Sequence, residues 1–295
     1  MLRSLSLSLL LMSIIVPTTS RADYYYGEGS YGDVSYGLHY DDNVSRAQNQ
    51  ADIENDFISK LAGRYGDQAI INHRSLFSFY GDLAYHHSHD FNKLSNLEIA
   101  ATGNYIYQVD TGFFSPWIET SVRISRKQFQ DSDIRDSYFL LTSAKIGKRV
   151  FDNVSASAGY QYEQRFSRRK VFDLSNHNLL ADLEYTLTDN SLLYTTYKIS
   201  VGDKVSTATP NARIIAAANQ VAPDDVFSPG LGPGCMNRRC AYQLDGISQQ
   251  VSTGINFNIL DRFDIDLSGS YHYTDADGDN RYRGFVYGAG LWLVF

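Results

Sequence analysis

Residues 154–165 read Val-Ser-Ala-Ser-Ala-Gly-Tyr-Gln-Tyr-Glu-Gln-Arg. Val154, Ala156, Ala158, Tyr160 and Tyr162 share one parity, while Ser155, Ser157, Gln161, Glu163 and Arg165 share the other. Successive side chains of a strand point to opposite faces, so this segment carries one apolar face and one polar, charged face. The period is two, and about ten residues repeat it before the next turn signal.

Working outward, the same pattern returns along the whole chain. Upstream, Asp33 and its alternate neighbours oppose Val34, Tyr36, Leu38 and Tyr40. Lys60 and Arg64 oppose Phe57, Leu61 and Tyr65, and Asp82 and His86 oppose Phe77, Phe79, Leu83 and Tyr85. Glu98 then opposes Leu97 and Ile99, Glu119 and Arg123 oppose Ile118, Val122 and Ile124, and Lys145 opposes Ala144 and Ile146. Downstream, Asp182 and Glu184 oppose Leu179, Leu183 and Tyr185, and Lys198 opposes Tyr197 and Ile199. Gln250, Ser252 and Asn256 oppose Val251, Ile255 and Phe257. Asp264, Asp266 and His272 oppose Phe263, Ile265, Leu267, Tyr271 and Tyr273, and the last segment ends Phe285, Tyr287, Ala289, Leu291, Leu293, Phe295.

These segments predict about 12 antiparallel strands of an all-β, up-and-down transmembrane β-barrel, apolar residues facing lipid and polar ones the lumen. Composition agrees, with 22 Tyr, 16 Phe and 22 Gly against 6 Pro. Aromatics gather at strand ends (Tyr65, Tyr107 and Phe257 at one, Tyr40, Tyr85 and Tyr273 at the other), as interfacial girdles do. A soluble sandwich or lipocalin-like barrel would bury the same apolar face inward. Charges on most polar faces and tyrosines at the apolar strand ends argue against that.

Short connections such as Phe151-Asp152-Asn153 and Thr188-Asp189-Asn190 alternate with longer polar ones such as 41–56, 127–136 and 166–177. The connections after the fourth, sixth, eighth and tenth segments are read as tight, and Gly66 to Arg74 as looser. Short turns mark the periplasmic side, and an even strand count then places both termini there.

Arg3, the apolar run Leu5 to Val16 and Ser20-Arg21-Ala22 form a secretory leader, predicting a signal peptide at 1–22 and a barrel at 23–295. The net charge of −7, with no basic helical cluster, argues against nucleic acid as a partner. The longest connection, about 203–246, is expected outside, with Thr209 capping a helix that Pro210 starts and that runs to Val221. Cys235 and Cys240, in an exported chain, are expected to form a disulfide-closed loop. That loop either folds into the mouth or stands as an external staple.

Tyr287-x-x-x-Leu291-x-Leu293-x-Phe295 resembles the C-terminal strand that outer-membrane β-barrel proteins of Gram-negative bacteria present to the barrel-assembly machinery. The likeness, porin-like and without a subfamily, covers the mature chain. It implies the cell outer membrane, contact with lipid and lipopolysaccharide, and assembly through that machinery. Tyr40-Asp41-Asp42-Asn43-Val44 also resembles the opening strand of barrels found beside exopolysaccharide and surface-lipoprotein systems.

Three further features bear on chemistry. Asp275, Asp277 and Asp279 alternate as calcium ligands do, but Gly278 and Val286 depart from an EF-hand and Asp-Gly is ordinary hairpin sequence. His86, His87 and His89 form a metal-like run, although adjacent strand residues point apart. Asp82 with His86, or Asp264 and Asp266 with His272, would be the acid–histidine couples of a hydrolase, yet no barrel-hydrolase motif surrounds them. No residue set calls for a cofactor. Arg168-Arg169-Lys170 lies in an external loop, facing anionic lipopolysaccharide or simply solvent. The inferred lumen face holds nine acids and six bases, too mixed to assign selectivity. The reading is a passive channel for small polar solutes, with a closed structural or assembly barrel as the alternative.

Overall fold

A computed structural model describes residues 29–227, 235, 238–260 and 262–295. The leader at 1–22, the Pro/Gly-rich stretch 228–234 and Asp261 lie outside the described residues. The strands are β1 (Gly29–Asp41), β2 (Asp56–Asn72), β3 (Ser75–Ser88), β4 (Asn96–Gln108), β5 (Trp117–Phe129), β6 (Ser137–Phe151) and β7 (Val154–Ser167). They continue with β8 (Leu174–Thr188), β9 (Ser191–Ala208), a short β10 (Gln220–Pro223), β11 (Cys240–Leu260), β12 (Phe263–Ala276) and β13 (Asn280–Val294).

All strands but β10 form one antiparallel ring in chain order, closed where β9 pairs with β11 and β13 pairs with β1. At the last seam Gly32 and Phe295 exchange two backbone hydrogen bonds of 2.9 Å, and a Cβ on Gly32 would sit 2.7 Å from the Phe295 ring. A side chain there would have to push that ring aside. The pairing registers accumulate a stagger of roughly 16 residues around the ring, which tilts the strands about 40° from the axis.

The ring is inside out relative to a soluble protein. On β8, Leu179 and Leu183 point outward and are 60% and 51% exposed, while inward-facing Asn178 is fully buried. Arg123, Glu98 and Lys127 are buried on the inner face, and Leu61, Ile99 and Ile124 are exposed on the outer one.

Three connections differ from the sequence reading. β2 runs on to Asn72, so the turn before β3 is only His73-Arg74, with Asn72 Oδ1 accepting from the Arg74 N–H at 2.9 Å. The connection after β4, expected to be tight, spans residues 109–116 and is held by the Ser115 hydroxyl accepting from the Asp110 N–H at 2.6 Å. β9 and β11 project past their neighbours and stay paired up to Ala208 and Cys240, leaving 209–239 as the connection.

If the exposed face meets hydrocarbon, Leu83→Arg should cost about 2–4 kcal/mol near the mid-depth of the band. Urea unfolding in lipid vesicles measures this; an unchanged midpoint would place Leu83 outside hydrocarbon.

Candidate functional site

The interior is built by the inward parity of each strand. A chain of ion pairs crosses the inner wall from β1 to β5. Arg64 Nε lies 3.9 Å from Asp33 and 2.9 Å from Asp82, and Arg123 lies 2.5 Å from Asp82 and 3.4 Å from Glu98. Lys127 completes it, 3.3 Å from Glu98. Lower on β6 and β8, Lys145 meets Asp182 at 3.0 Å, and the Ser157 and Thr196 hydroxyls donate to the same carboxylate. The Tyr194 hydroxyl donates to Asp266 at 2.9 Å, and the Asn258 amide donates to Asp264 at 2.9 Å.

Strand tilt converts register into height, and height separates the charges. Toward the long-loop end lie Lys60, Lys127, Arg165, Lys198 and Lys204, with Glu98 and Glu163 and, at the rim, Asp56 and the Arg46–Asp41 pair. Toward the short-turn end lie Asp33, Glu119, Asp182, Glu184, Asp264 and Asp266, with Lys145. Arg64, Asp82 and Arg123 bridge the two tiers. The interior that looked evenly mixed in sequence is polarised along its axis.

The long-loop end is filled. The β1–β2 connection folds inward and reaches β9, where Ser206 Oγ donates to the Arg46 carbonyl at 2.7 Å and Thr207 N–H to that of Ser45 at 3.1 Å. Arg46 donates to Asp41 at 2.6 Å and to His272 Nε2 at 2.9 Å; a guanidinium only donates, so that nitrogen accepts. Val44, Leu94, Phe129, Val226, Phe227 and Val286 pack into one apolar cluster across the mouth, and Val171, Phe172, Val205 and Ala222 into a second.

Arg135 and Asp224 join these clusters. Both are fully buried, 2.7 Å apart, with the Arg135 guanidinium 4.3 Å over the Phe172 ring and the Thr207 hydroxyl donating to Asp224 at 2.7 Å. Burial alone would push the Asp224 carboxyl up, but the Arg135 charge and the Thr207 hydrogen bond outweigh it and hold it below the usual carboxylate range. The Val226 N–H also donates to Asp224, at 2.9 Å, tying the 209–239 connection to the pair.

Cys235 and Cys240 are joined, at the top of β11. The helix is shorter than expected, α1 at Ala212–Ala217, capped by Asn211, whose side chain accepts from the Arg213 N–H. Thr209 instead donates to Asp52 at 2.6 Å, and residues 220–223 pair with β11, which ends the helix before Val221. The carboxylates at 275–279 make a hairpin: Gly278 and Asp279 have φ of 74° and 55°, Asp275 pairs with Arg281 and Asp279 with Arg213. Neither acid–histidine couple forms, since Asp82 binds two arginines, His272 meets Arg46, and both His86 ring nitrogens lack a hydrogen-bond partner. The His87 and His89 rings meet edge to face with centroids 4.7 Å apart, beside Ser95 and Ser59, while His86 points into the barrel, and among the described residues no third ligand joins them. Tyr287, Leu291, Leu293 and Phe295 all point outward on β13.

Lys127 and Lys204 carry little sequence signal, because the polar residues around them read as loop, although each continues the inward parity of its strand. Arg135 and Asp224 carried no signal, since neither lies in a periodic segment.

No family model matches the chain, and no curated protein matches it. Among solved structures it is similar to an outer-membrane channel from Pseudomonas putida F1, at 10% identity over 91% of this chain and 96% of that one, with a TM-score of 0.55. The chain has the fold of an outer-membrane β-barrel. It is also similar to KdgM porin (10% identity, 89% of this chain and 99% of that one, TM-score 0.45) and NanC porin (7%, 89% and 98%, 0.46). The apolar side chains exposed on its outer face are the ones a transmembrane β-barrel turns to lipid.

Asp224→Ala should strand a buried guanidinium and loosen the mouth by about 3–5 kcal/mol, read as faster hydrogen exchange at Val226 and Phe227. A carboxyl held lower in the folded state stabilises it above the unfolded value, ~3.9, and that contribution disappears as pH falls through the folded one. Exchange at Val226 and Phe227, corrected for intrinsic rate, should stay slow from neutral to mildly acidic pH and rise only below about 3.9. Loosening already at pH 6 would contradict this assignment.

Proposed function

We propose that this chain is a passive outer-membrane channel for small polar solutes whose outer mouth is constricted by inward-folded loops. One observation carries the reading: beneath its apolar mouth, the interior of a closed ring is lined by polar and charged side chains. Buried charges are tolerated only when paired or hydrated, and among the described residues Lys60 and Lys198 have no carboxylate within salt-bridge distance. The similarity to a solved outer-membrane channel supports the same architecture. Interior charges from Lys60 to His272 are then the lumen lining.

The short turns suit the periplasmic side, so both termini are placed there and the long connections outside. The leader at 1–22 directs export, and the outward row of Tyr287, Leu291, Leu293 and Phe295 serves recognition by the assembly machinery. The exposed Arg168, Arg169 and Lys170 face lipopolysaccharide. The fully buried Arg135–Asp224 pair favours a second reading, a barrel kept shut as a structural or assembly partner.

Planar-bilayer recording separates them. Cys240 pairs with Ala208, so a two-residue Asn-Gly turn can replace 209–239 without disturbing the ring. With Cys240→Ser to remove the orphan thiol, this variant should give larger current steps than the intact chain. Silent bilayers from both folded proteins would leave the shut barrel.

A further inference from the structure

Toward the long-loop end, the inner face of β7–β9 holds more positive charge than the carboxylate beside it neutralises. Arg165, Lys198 and Lys204 are all buried there, and the carboxylate among them is Glu163, 4.0 Å from Arg165. Lys204 Nζ donates to Asn176 Oδ1 at 2.8 Å and to Ser200 Oγ at 3.3 Å, both neutral acceptors. Lys198 has no salt-bridge partner among the described residues, and Glu163 is the carboxylate whose field reaches it.

Two amides sit in the same patch. Gln161 and Asn178 are register partners on β7 and β8, and Asn178 pairs in turn with Ser200 on β9. Asn178 is fully buried with neither side-chain atom hydrogen-bonded, and Gln161 Oε1 is likewise unpartnered. Buried amides are almost always satisfied, so unpaired ones beside surplus cations point to a missing group. The three cations and Asn178 Nδ2 donate, which calls for an anion with several acceptor oxygens, while Asn178 Oδ1 and Gln161 Oε1 accept, which calls for a hydroxyl on that anion, as citrate and hydrogen phosphate both carry.

We propose that Arg165, Lys198, Lys204, Gln161 and Asn178 form a subsite for small multivalent oxyanions, carboxylate or phosphate, in the outer half of the lumen. The site rests on the channel reading for its access. Anions entering from outside meet this tier first, and the carboxylate tier beneath repels them toward it. The polarised lumen therefore captures acidic solutes at its outer half.

The test uses the intact chain and the variant shortened across 209–239, with citrate and inorganic phosphate as probes and glucose as the uncharged control. Citrate or phosphate should block single-channel current and raise the unfolding temperature in nanodiscs, whereas glucose should do neither. Lys198→Met should weaken both effects at least tenfold. In anion-free buffer it should unfold no lower than the parent, because an unpaired buried charge has been removed. Block by glucose equal to that by citrate overturns the site, as does an open channel that neither anion blocks or stabilises. Binding without any current would instead remove the channel reading and leave the site. If Lys198→Met fails to fold, Lys204→Gln read on the same two signals decides.

Discussion

Everything in this molecule depends on the closed ring of backbone hydrogen bonds. Hydrocarbon offers no partner to an unpaired N–H or C=O, so a sheet can cross it only when it has no edge. The two seams, β9 with β11 and β13 with β1, supply that condition. Once the ring is closed, alternation leaves each side chain a choice of two environments. Outward residues must be apolar, and inward ones are free to carry charge. The salt-bridged interior and the exposed leucines are two consequences of one geometry.

The tilt that closes the ring also arranges the interior. Because neighbouring strands are staggered, residues at different depths of different strands come to the same height, and the ion-pair chain from Asp33 to Lys127 climbs the wall diagonally. Cations collect toward the long loops and carboxylates toward the short turns. Above them, loops that are polar in composition bury a small apolar core of their own, pinned by Arg135 and Asp224. The interior is thus charged in its body and closed at its mouth by packing.

The ring was legible in the sequence because a period of two survives in every strand, from Val154–Tyr162 to Phe285–Phe295. Lipid requires that pattern across the full width of the band. What failed to show were features that obey no period. β2 reads as a loop past Gly66 because Asp67, Gln68 and Asn72 look like turn residues, yet they pair with β3 as the strand projects beyond the band. Lys127 and Lys204 were hidden by the polar residues around them. The Arg135–Asp224 pair joins residues 89 positions apart in two aperiodic loops, and only the folded mouth brings them together. The vertical sorting of charge needs the register, which composition cannot supply.

Spin labels placed one at a time along β8, from Asn178 to Tyr185, test the central geometry most directly. In lipid vesicles, accessibility to oxygen should peak at positions 179, 181, 183 and 185, with the intervening positions shielded from it. The same peaks on the even-numbered positions, or no alternation at all, would contradict the account.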